Sequence, residues 1–238
     1  MRPTFESEHC QLWLADCRDV LPCIPGLDCV ITDPPFGINY ANRRGDMVPK
    51  VFDGALKNDE SQEVGQAIID ECFKREWPVC TFAHHRKPWA GIWRQWLVWD
   101  KGPAVGGGGD LATCWKFTWE LIQVGGFGKL NGQRDSAVLR YWIGQTNMHE
   151  HPTQKPVALM TYLIKKLTTA NDVVADFFMG SGTTLVSAIR AGRCAIGVES
   201  DERYFDIAVK RIQEAEGVGS LFDPTHKPEP VDMFAGSV

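Results

Sequence analysis

The 238-residue sequence holds eight cysteines and six histidines, yet it has no Cys-x-x-Cys pair and no His/Cys cluster at zinc-ligand spacing. This excludes the common structural zinc motifs. The cysteines at 10, 17, 23, 29, 72, 80, 114 and 194 read instead as small apolar residues of a reduced protein. No apolar run is long enough to span a bilayer, and Glu6, Glu8 and Asp16 interrupt the start where a secretory leader needs an apolar stretch. A cytoplasmic protein is the expectation. There is no internal repeat and no low-complexity tract, which excludes solenoids and disordered arrays. Positive charge is not in excess: 25 Lys+Arg face 30 Asp+Glu, a net charge of −5, so the chain is not a uniformly basic polyanion binder. The remaining composition, 44% hydrophobic and 23% charged, is that of a globular protein, and the length suits one large α/β domain with an insert.

Residues 173–199 organise the rest. Val173-Val174-Ala175-Asp176-Phe177-Phe178 is nearly all apolar, as in a strand buried on both faces. Gly180-Ser181-Gly182 then turns the chain, and two close glycines let backbone approach a ligand with no Cβ in the way. Thr183 or Thr184 can cap a helix over 185–191, Gly192 stands where a C′ glycine belongs, and a second strand over 194–198 ends at Glu199. In such a βαβ unit an acid about twenty residues after the glycine turn accepts hydrogen bonds from ribose hydroxyls. The third glycine of a dinucleotide fingerprint is missing, with Thr184 and Leu185 in that region, and no G-x-x-x-x-G-K-[ST] phosphate loop occurs. S-adenosylmethionine, which has a ribose but no pyrophosphate to cradle, therefore suits the stretch better than a dinucleotide. Taken alone, these residues also describe a tight turn that binds no nucleoside.

Residues 27–32 form a second buried-type strand, followed by Asp33-Pro34-Pro35-Phe36-Gly37. Two prolines fix the backbone and remove two N–H donors, holding Asp33 and its neighbouring carbonyls at the carboxyl edge of the sheet. Phe36 follows with its ring expected to be exposed. An aromatic face stacks on a planar base, while a carboxylate and a carbonyl take the two hydrogens of an exocyclic amine. The same tetrapeptide also describes a rigid turn with a capping aspartate.

Periodicity predicts further strands over 11–15, 79–83 and 95–99, and helices over 60–76, 157–168 and 201–214. Residues 37–60, with Arg43, Arg44 and Lys50, read as a mobile loop beside the site, and the five glycines of 102–109 as a flexible connection. Residues 84–166 carry 11 Lys+Arg against 5 Asp+Glu, a local +6 that leaves −11 elsewhere. Within them, Trp115, Lys116, Phe117, Trp119, Phe127, Lys129, Arg134, Arg140, Tyr141 and Trp142 interleave aromatic and basic side chains, which suits nucleic-acid binding and also the buried aromatics of a small sheet. The tail from 216 to 238 is expected to be extended. Its Ser220-Leu221-Phe222-Asp223 reads either as local packing or as a docking peptide for a sliding clamp.

With these segments in view, the chain resembles the DNA amino-methyltransferases, in the permuted class whose catalytic D-P-P-[YF] precedes the cofactor loop. Asp33-Pro34-Pro35-Phe36 is similar to that motif. Asp176 and Phe178 to Thr184 are similar to D-P-F-x-G-S-G-T-T, with Phe177 in place of its proline, and residues 151–156 are similar to H-P-T-Q-K-P. Ala15-Asp16-Cys17 resembles G-D-C with alanine for glycine, and Glu199, Asp201 and Tyr204 match the acidic strand end and the helix after it.

The resemblance implies a Rossmann-like α/β sheet with helices on both faces, a catalytic domain over 1–215, and target recognition by an inserted 84–150. It implies methyl transfer from S-adenosylmethionine to adenine N6 of a flipped base in double-stranded DNA. Cytosine N4 is the alternative, since that branch more often begins its motif with serine. An NAD(P)-dependent oxidoreductase would account for 173–199 only, and a non-catalytic DNA-binding module for the insert only. The implied catalytic residues are Asp33, Pro34, Pro35 and Phe36. Those for the cofactor are Asp16, His151, Thr153, Lys155, Asp176, Phe178, Gly180, Ser181, Gly182, Thr183, Thr184 and Glu199, with Asp16 on the adenine amine and Lys155 or Thr153 near the carboxylate. DNA contacts fall to Arg43, Arg44, Lys129, Arg134 and Arg140. A homodimer is implied by analogy with relatives that pair.

Overall fold

The computed structural model describes residues 1–38, 60–103, 115–126, 128–142 and 155–222, with side chains to residue 217. The expected roles of Arg43, Arg44, His151 and Thr153 therefore lie outside the described residues. Strands β1 (Phe5–Glu6), β2 (Cys10–Leu14), β3 (Cys29–Thr32), β4 (Val79–Ala83), β5 (Trp93–Asp100), β6 (Trp119–Gly125), β7 (Val138–Arg140), β8 (Val173–Asp176) and β9 (Cys194–Glu199) form one sheet in the order β1-β2-β9-β8-β3-β4-β6-β5-β7. From β2 to β4 the five neighbouring strands are parallel; β6 is antiparallel to β4 and β5, and β7 runs parallel to β5. Helices α1 (Cys17–Val20), α2 (Glu63–Lys74), α3 (Val157–Leu167), α4 (Thr183–Arg190) and α5 (Glu202–Phe222) complete the fold. Among the described residues, no helix is long and apolar enough to cross a membrane.

Both faces of the parallel strands are apolar, and alternation sends successive residues to opposite sides. Leu12, Ile31, Val174 and Ala195 pack with Leu163 of α3, Leu185 of α4 and Ile212 of α5. Their neighbours Trp13, Val30, Ala175 and Ile196 pack with Val20 of α1 and with Ile68 and Cys72 of α2. Between β8 and β3 the sheet has its switch point: β8 leads through α4 to β9 on one side, and β3 leads through α2 to β4 on the other. A crevice at the carboxyl ends of such strands is where open α/β sheets bind ligands.

Within 84–150, the described strands β5, β6 and β7 extend the same sheet as the parallel strands. The aromatics of this segment divide accordingly: Trp89 and Trp99 are buried core, whereas Trp115 and Trp142 are exposed. The fold corrects several expectations. Thr183 and Thr184 do not cap α4. Gly182, with φ +78°, is the N-cap, and both threonines lie inside the first turn. The last helix runs to Phe222 rather than stopping near 214, so residues 216–222 are helical and not an extended tail. A helix backbone there removes the extended form of the 220–223 peptide up to residue 222, and residue 223 onward lies outside the described residues.

Candidate active site

Because β6 is antiparallel to β4, its first residues lie at the same edge as the last residues of β3, β8 and β9. Asp33, Asp176, Glu199, Glu120 and the end of β5 at Asp100 therefore share one rim.

Asp176 ends β8, is 3% exposed, and is fully occupied: Oδ1 accepts from Thr32 Oγ1 at 2.7 Å and from the Phe178 amide at 3.1 Å, and Oδ2 accepts from Thr184 Oγ1 at 2.6 Å. Burial pushes its carboxyl up to about 6, against the hydrogen bonds that pull it down. Its role is to tie the catalytic strand, the glycine turn and α4 together. The turn itself is positive-φ backbone, with Gly180 at +51° and Gly182 at +78°, a region that glycine enters freely. Glu199 braces it from β9: Oε2 accepts from the Gly180 amide at 2.9 Å, while Oε1 accepts from the Ser200 and Asp201 amides at 2.8 Å each. Burial raises the Glu199 carboxyl despite these three bonds. Among the described residues, Oε2 accepts the one bond from Gly180.

Arg211 of α5, which the sequence reading passed over, secures the far side of the turn. Its Nη1 donates to the Ser181 carbonyl at 2.6 Å, to Ser181 Oγ at 2.9 Å and to Thr183 Oγ1 at 3.2 Å. Ser181 and Thr183 are thus buried structural members of the loop. Phe178 is half-buried against the sheet face that carries α1 and α2. Asp16, expected at the cofactor's adenine, caps α1 through the Arg18 amide at 2.9 Å and pairs with Arg18 Nη2 at 2.6 Å. It lies beside the end of β9, where the Ala15 amide donates to the Glu199 carbonyl at 2.9 Å.

Asp33 follows β3. Its Oδ2 accepts from Lys155 Nζ at 2.6 Å, and its Oδ1 is buried with no hydrogen-bond partner. Lys155 is also 3.0 Å from Glu120 Oε1, and Glu120 Oε2 is 2.6 Å from Lys101 Nζ. Lys155 precedes α3, whose N-cap is Pro156, and its ammonium enters the sheet edge over the Phe82 ring. Burial pushes the Asp33 carboxyl up, opposed by Lys155. Burial also resists ionisation of Glu120, but the ammoniums of Lys155 and Lys101 outweigh it and hold that carboxyl below its ordinary range.

Phe36 is half-buried, not exposed, and packs against both the main core and the cluster of Ile69, Ala83 and Trp89. Its ring starts a row of planar side chains: His84 lies 6.1 Å away, His85 4.5 Å further, and Phe117 4.5 Å beyond that. His84 and His85 carried no sequence signal beyond following a strand. Lys87 Nζ donates to the Gly37 carbonyl at 2.6 Å and closes the turn after the prolines.

Among the described residues, Arg140, Lys129 and Arg134 do not form one patch. Arg140, at the carboxyl end of β7, stands on the site rim, 3.8 Å from Asp100 and exposed. Lys129 follows β6 at the opposite edge, in a hollow with Pro78 and Arg94. Arg134 is flanked by Gln133 and Asp135, both bound by Lys166 in the last turn of α3, also away from the site.

A mixed sheet whose parallel part carries a glycine turn and a strand-end acid at its switch point, facing an Asp-Pro-Pro-Phe edge, has the Rossmann-like fold of S-adenosylmethionine-dependent methyltransferases. The DNA methylase family model matches residues 110–210, fewer than half of the chain's 238 residues. The match contains Glu120, Lys155, Asp176 and Glu199; the Asp33 motif precedes it. The chain is 28% identical over 232 residues to YubD of Escherichia coli, described as a methylase, covering 90% of this chain and 96% of that protein. It is 47% identical over 72 residues to the type II methyltransferase M.ScaI of Streptomyces caespitosus, covering 30% of this chain but only 23% of that protein. Among solved structures, it superposes on PvuII DNA methyltransferase (cytosine-N4-specific) with a TM-score of 0.69 at 15% identity, over 91% of this chain and 93% of that one. It also superposes on the M1.HpyAVI–SAM complex with a TM-score of 0.61 at 23% identity, over 85% and 99%.

Proposed function

We propose that the protein methylates the N6 amine of an adenine flipped out of double-stranded DNA, with Asp33 accepting from that amine. The observation that carries this reading is the place of Asp33, a carboxylate at the end of the strand next to the glycine turn, held through Oδ2 by Lys155; among the described residues its buried Oδ1, like Glu120 Oε1, has no hydrogen-bond partner. A buried acceptor left unsatisfied is costly unless a ligand completes it.

S-adenosylmethionine supplies an electrophilic methyl group on a sulfonium. The residues present fit it. Gly180 and Gly182 give a turn that backbone can bring close, and Glu199 Oε2, which accepts from the Gly180 amide, can also accept from a ribose hydroxyl.

An adenine amine lone pair is conjugated into the ring and is a poor nucleophile. Asp33 Oδ1 and the Pro34 carbonyl each accept one amine hydrogen, which draws the nitrogen toward tetrahedral geometry and turns its lone pair to the methyl. Alignment of this kind supplies much of the rate. Bound S-adenosylmethionine would give up its methyl with the C–S electron pair retained by sulfur, and the methylated nitrogen would carry the positive charge. Asp33 then takes a proton from it and passes it to solvent. Phe36 stacks on the base face, and the exposed Trp115, Phe117 and Trp142, with Arg140, face the duplex from the same rim.

Incubation with methyl-labelled cofactor and DNA, followed by digestion and mass analysis of nucleosides, tests this. N6-methyladenine is expected. N4-methylcytosine as the sole product overturns the assignment of the base, and no labelled nucleoside overturns the activity.

A further inference from the structure

Asp33 ends a line of alternating charges that reaches across three other segments. Lys155, before α3, bridges Asp33 at 2.6 Å and Glu120 at 3.0 Å; Glu120, on β6, continues to Lys101, after β5, at 2.6 Å. Lys155 and Glu120 are 9% and 12% exposed at their side chains, so these charges are held largely out of water. A buried ion pair is expensive to assemble and contributes little net stability compared with apolar residues of the same volume. Three such groups beside the proposed catalytic acid therefore call for a reason other than folding.

The geometry gives one. Lys155 has three N–H donors. Two face the carboxylates, and the Phe82 ring lies 4.5 Å from its nitrogen. The ammonium's contact with Oδ2 holds one oxygen of the Asp33 carboxylate, while Oδ1 is buried with no hydrogen-bond partner among the described residues. Glu120 fixes the ammonium from the far side and opposes its charge.

We propose that Lys155 and Glu120 are positioning residues for Asp33: Lys155 orients the carboxylate toward the amine and keeps it ionised, and Glu120 limits that effect so that Asp33 can still receive a proton. This rests on the amine-methylation reading. The groups facing Asp33 are Lys155, Glu120, Lys101 and, from β8, Asp176, with His84 of the aromatic row facing Glu120.

The test compares Glu120→Gln and Lys155→Gln in the full chain. The midpoint of the acidic limb of kcat is measured with DNA and saturating S-adenosylmethionine. The 13C carboxyl titration of Asp33 is followed in the protein alone, and cofactor Kd is measured by calorimetry. Glu120→Gln removes a negative neighbour, so the Asp33 titration and the acidic limb move to lower pH by about 1 unit. Lys155→Gln removes the cation, so both move to higher pH by about 1–3 units, with cofactor Kd within about twofold. Opposite shifts are what a purely structural role does not produce. Lys101→Gln, at the outer end of the line, gives a smaller upward shift and serves if Lys155→Gln does not fold. Shifts in the same direction, or none, overturn the proposal; so does a tenfold loss of cofactor affinity in Lys155→Gln with the Asp33 titration unmoved. If the wild type methylates no DNA but the carboxyl titrations still shift oppositely, the methylation reading fails while the Lys155–Glu120 control of Asp33 stands.

Discussion

Thr32 and Asp176 stand at the ends of adjacent parallel strands, and the Thr32 hydroxyl donates to Asp176 Oδ1 at 2.7 Å. This one bond joins the strand that delivers Asp33 to the strand that opens the glycine turn, although the two residues are 144 positions apart in sequence. It makes the spacing between the two halves of the site a property of the sheet rather than of any loop.

Asp176 carries a pH signature. Its folded value of about 6 lies above the ordinary 3.8, because burial disfavours the charge. Between about pH 4 and 6 the folded state thus holds a proton that the unfolded state has released, and this group's contribution to stability falls as pH rises through that window. Above it, the buried charge costs about 3 kcal/mol at 1.36 kcal/mol per unit. Asp176→Asn removes this component. Urea unfolding of both proteins from pH 4 to 7 should show the difference moving in favour of the variant as pH rises; the opposite trend would mean that the carboxylate is stabilised as an anion.

Asp33→Ala should lower kcat by at least about 10²-fold, the scale for losing one aligned polar contact to the reacting group. The fold should persist, since Lys155 keeps Glu120 as a partner. Unchanged thermal unfolding with wild-type turnover would remove Asp33 from the chemistry.

Glu199→Ala strips the brace from the Gly180 amide as well as the acceptor for a ribose hydroxyl. S-adenosylmethionine affinity should weaken by about 1.5–3 kcal/mol, the range for hydrogen bonds to a charged group. Calorimetry on the folded variant decides it, and equal affinity would place the ribose elsewhere.

DNA affinity should fall with salt at a log–log slope of about −0.9 per phosphate neutralised. Arg140→Ala, on the site rim, should flatten that slope by about 0.9, whereas Lys129→Ala, at the opposite edge, should leave it unchanged. Fluorescence anisotropy at several salt concentrations reads both. Flattening by Lys129→Ala alone would put the duplex on the wrong edge.

Gly197→Ala tests the packing of α4 on β9. An added Cβ would meet Met179 Sδ at 2.4 Å and Leu185 Cδ2 at 2.5 Å. Overpacking of this kind costs about 1–3 kcal/mol, visible as a lower urea midpoint at unchanged slope. A midpoint equal to wild type would show that the two side chains can move aside.

Local signals determined a good deal. Apolar runs bounded by turn residues located the parallel strands, because a strand buried on both faces needs apolar side chains at every position and that need is written consecutively. The glycine turn, the strand-end acid and Asp33-Pro34-Pro35-Phe36 were legible for the same reason: each is a short contiguous stretch whose backbone demands are met by its own residues. What only the tertiary structure decided are the relations between stretches. Lys155 lies 122 residues from Asp33, and nothing in its neighbourhood says whether a lysine before a helix faces a ligand or enters the sheet edge. Antiparallel β6 brings Glu120 to the rim and carries Lys129 to the other edge, so one basic, aromatic segment is divided by a strand direction that composition does not encode. Charge pairing depends on distance through space, and the sheet order sets that distance.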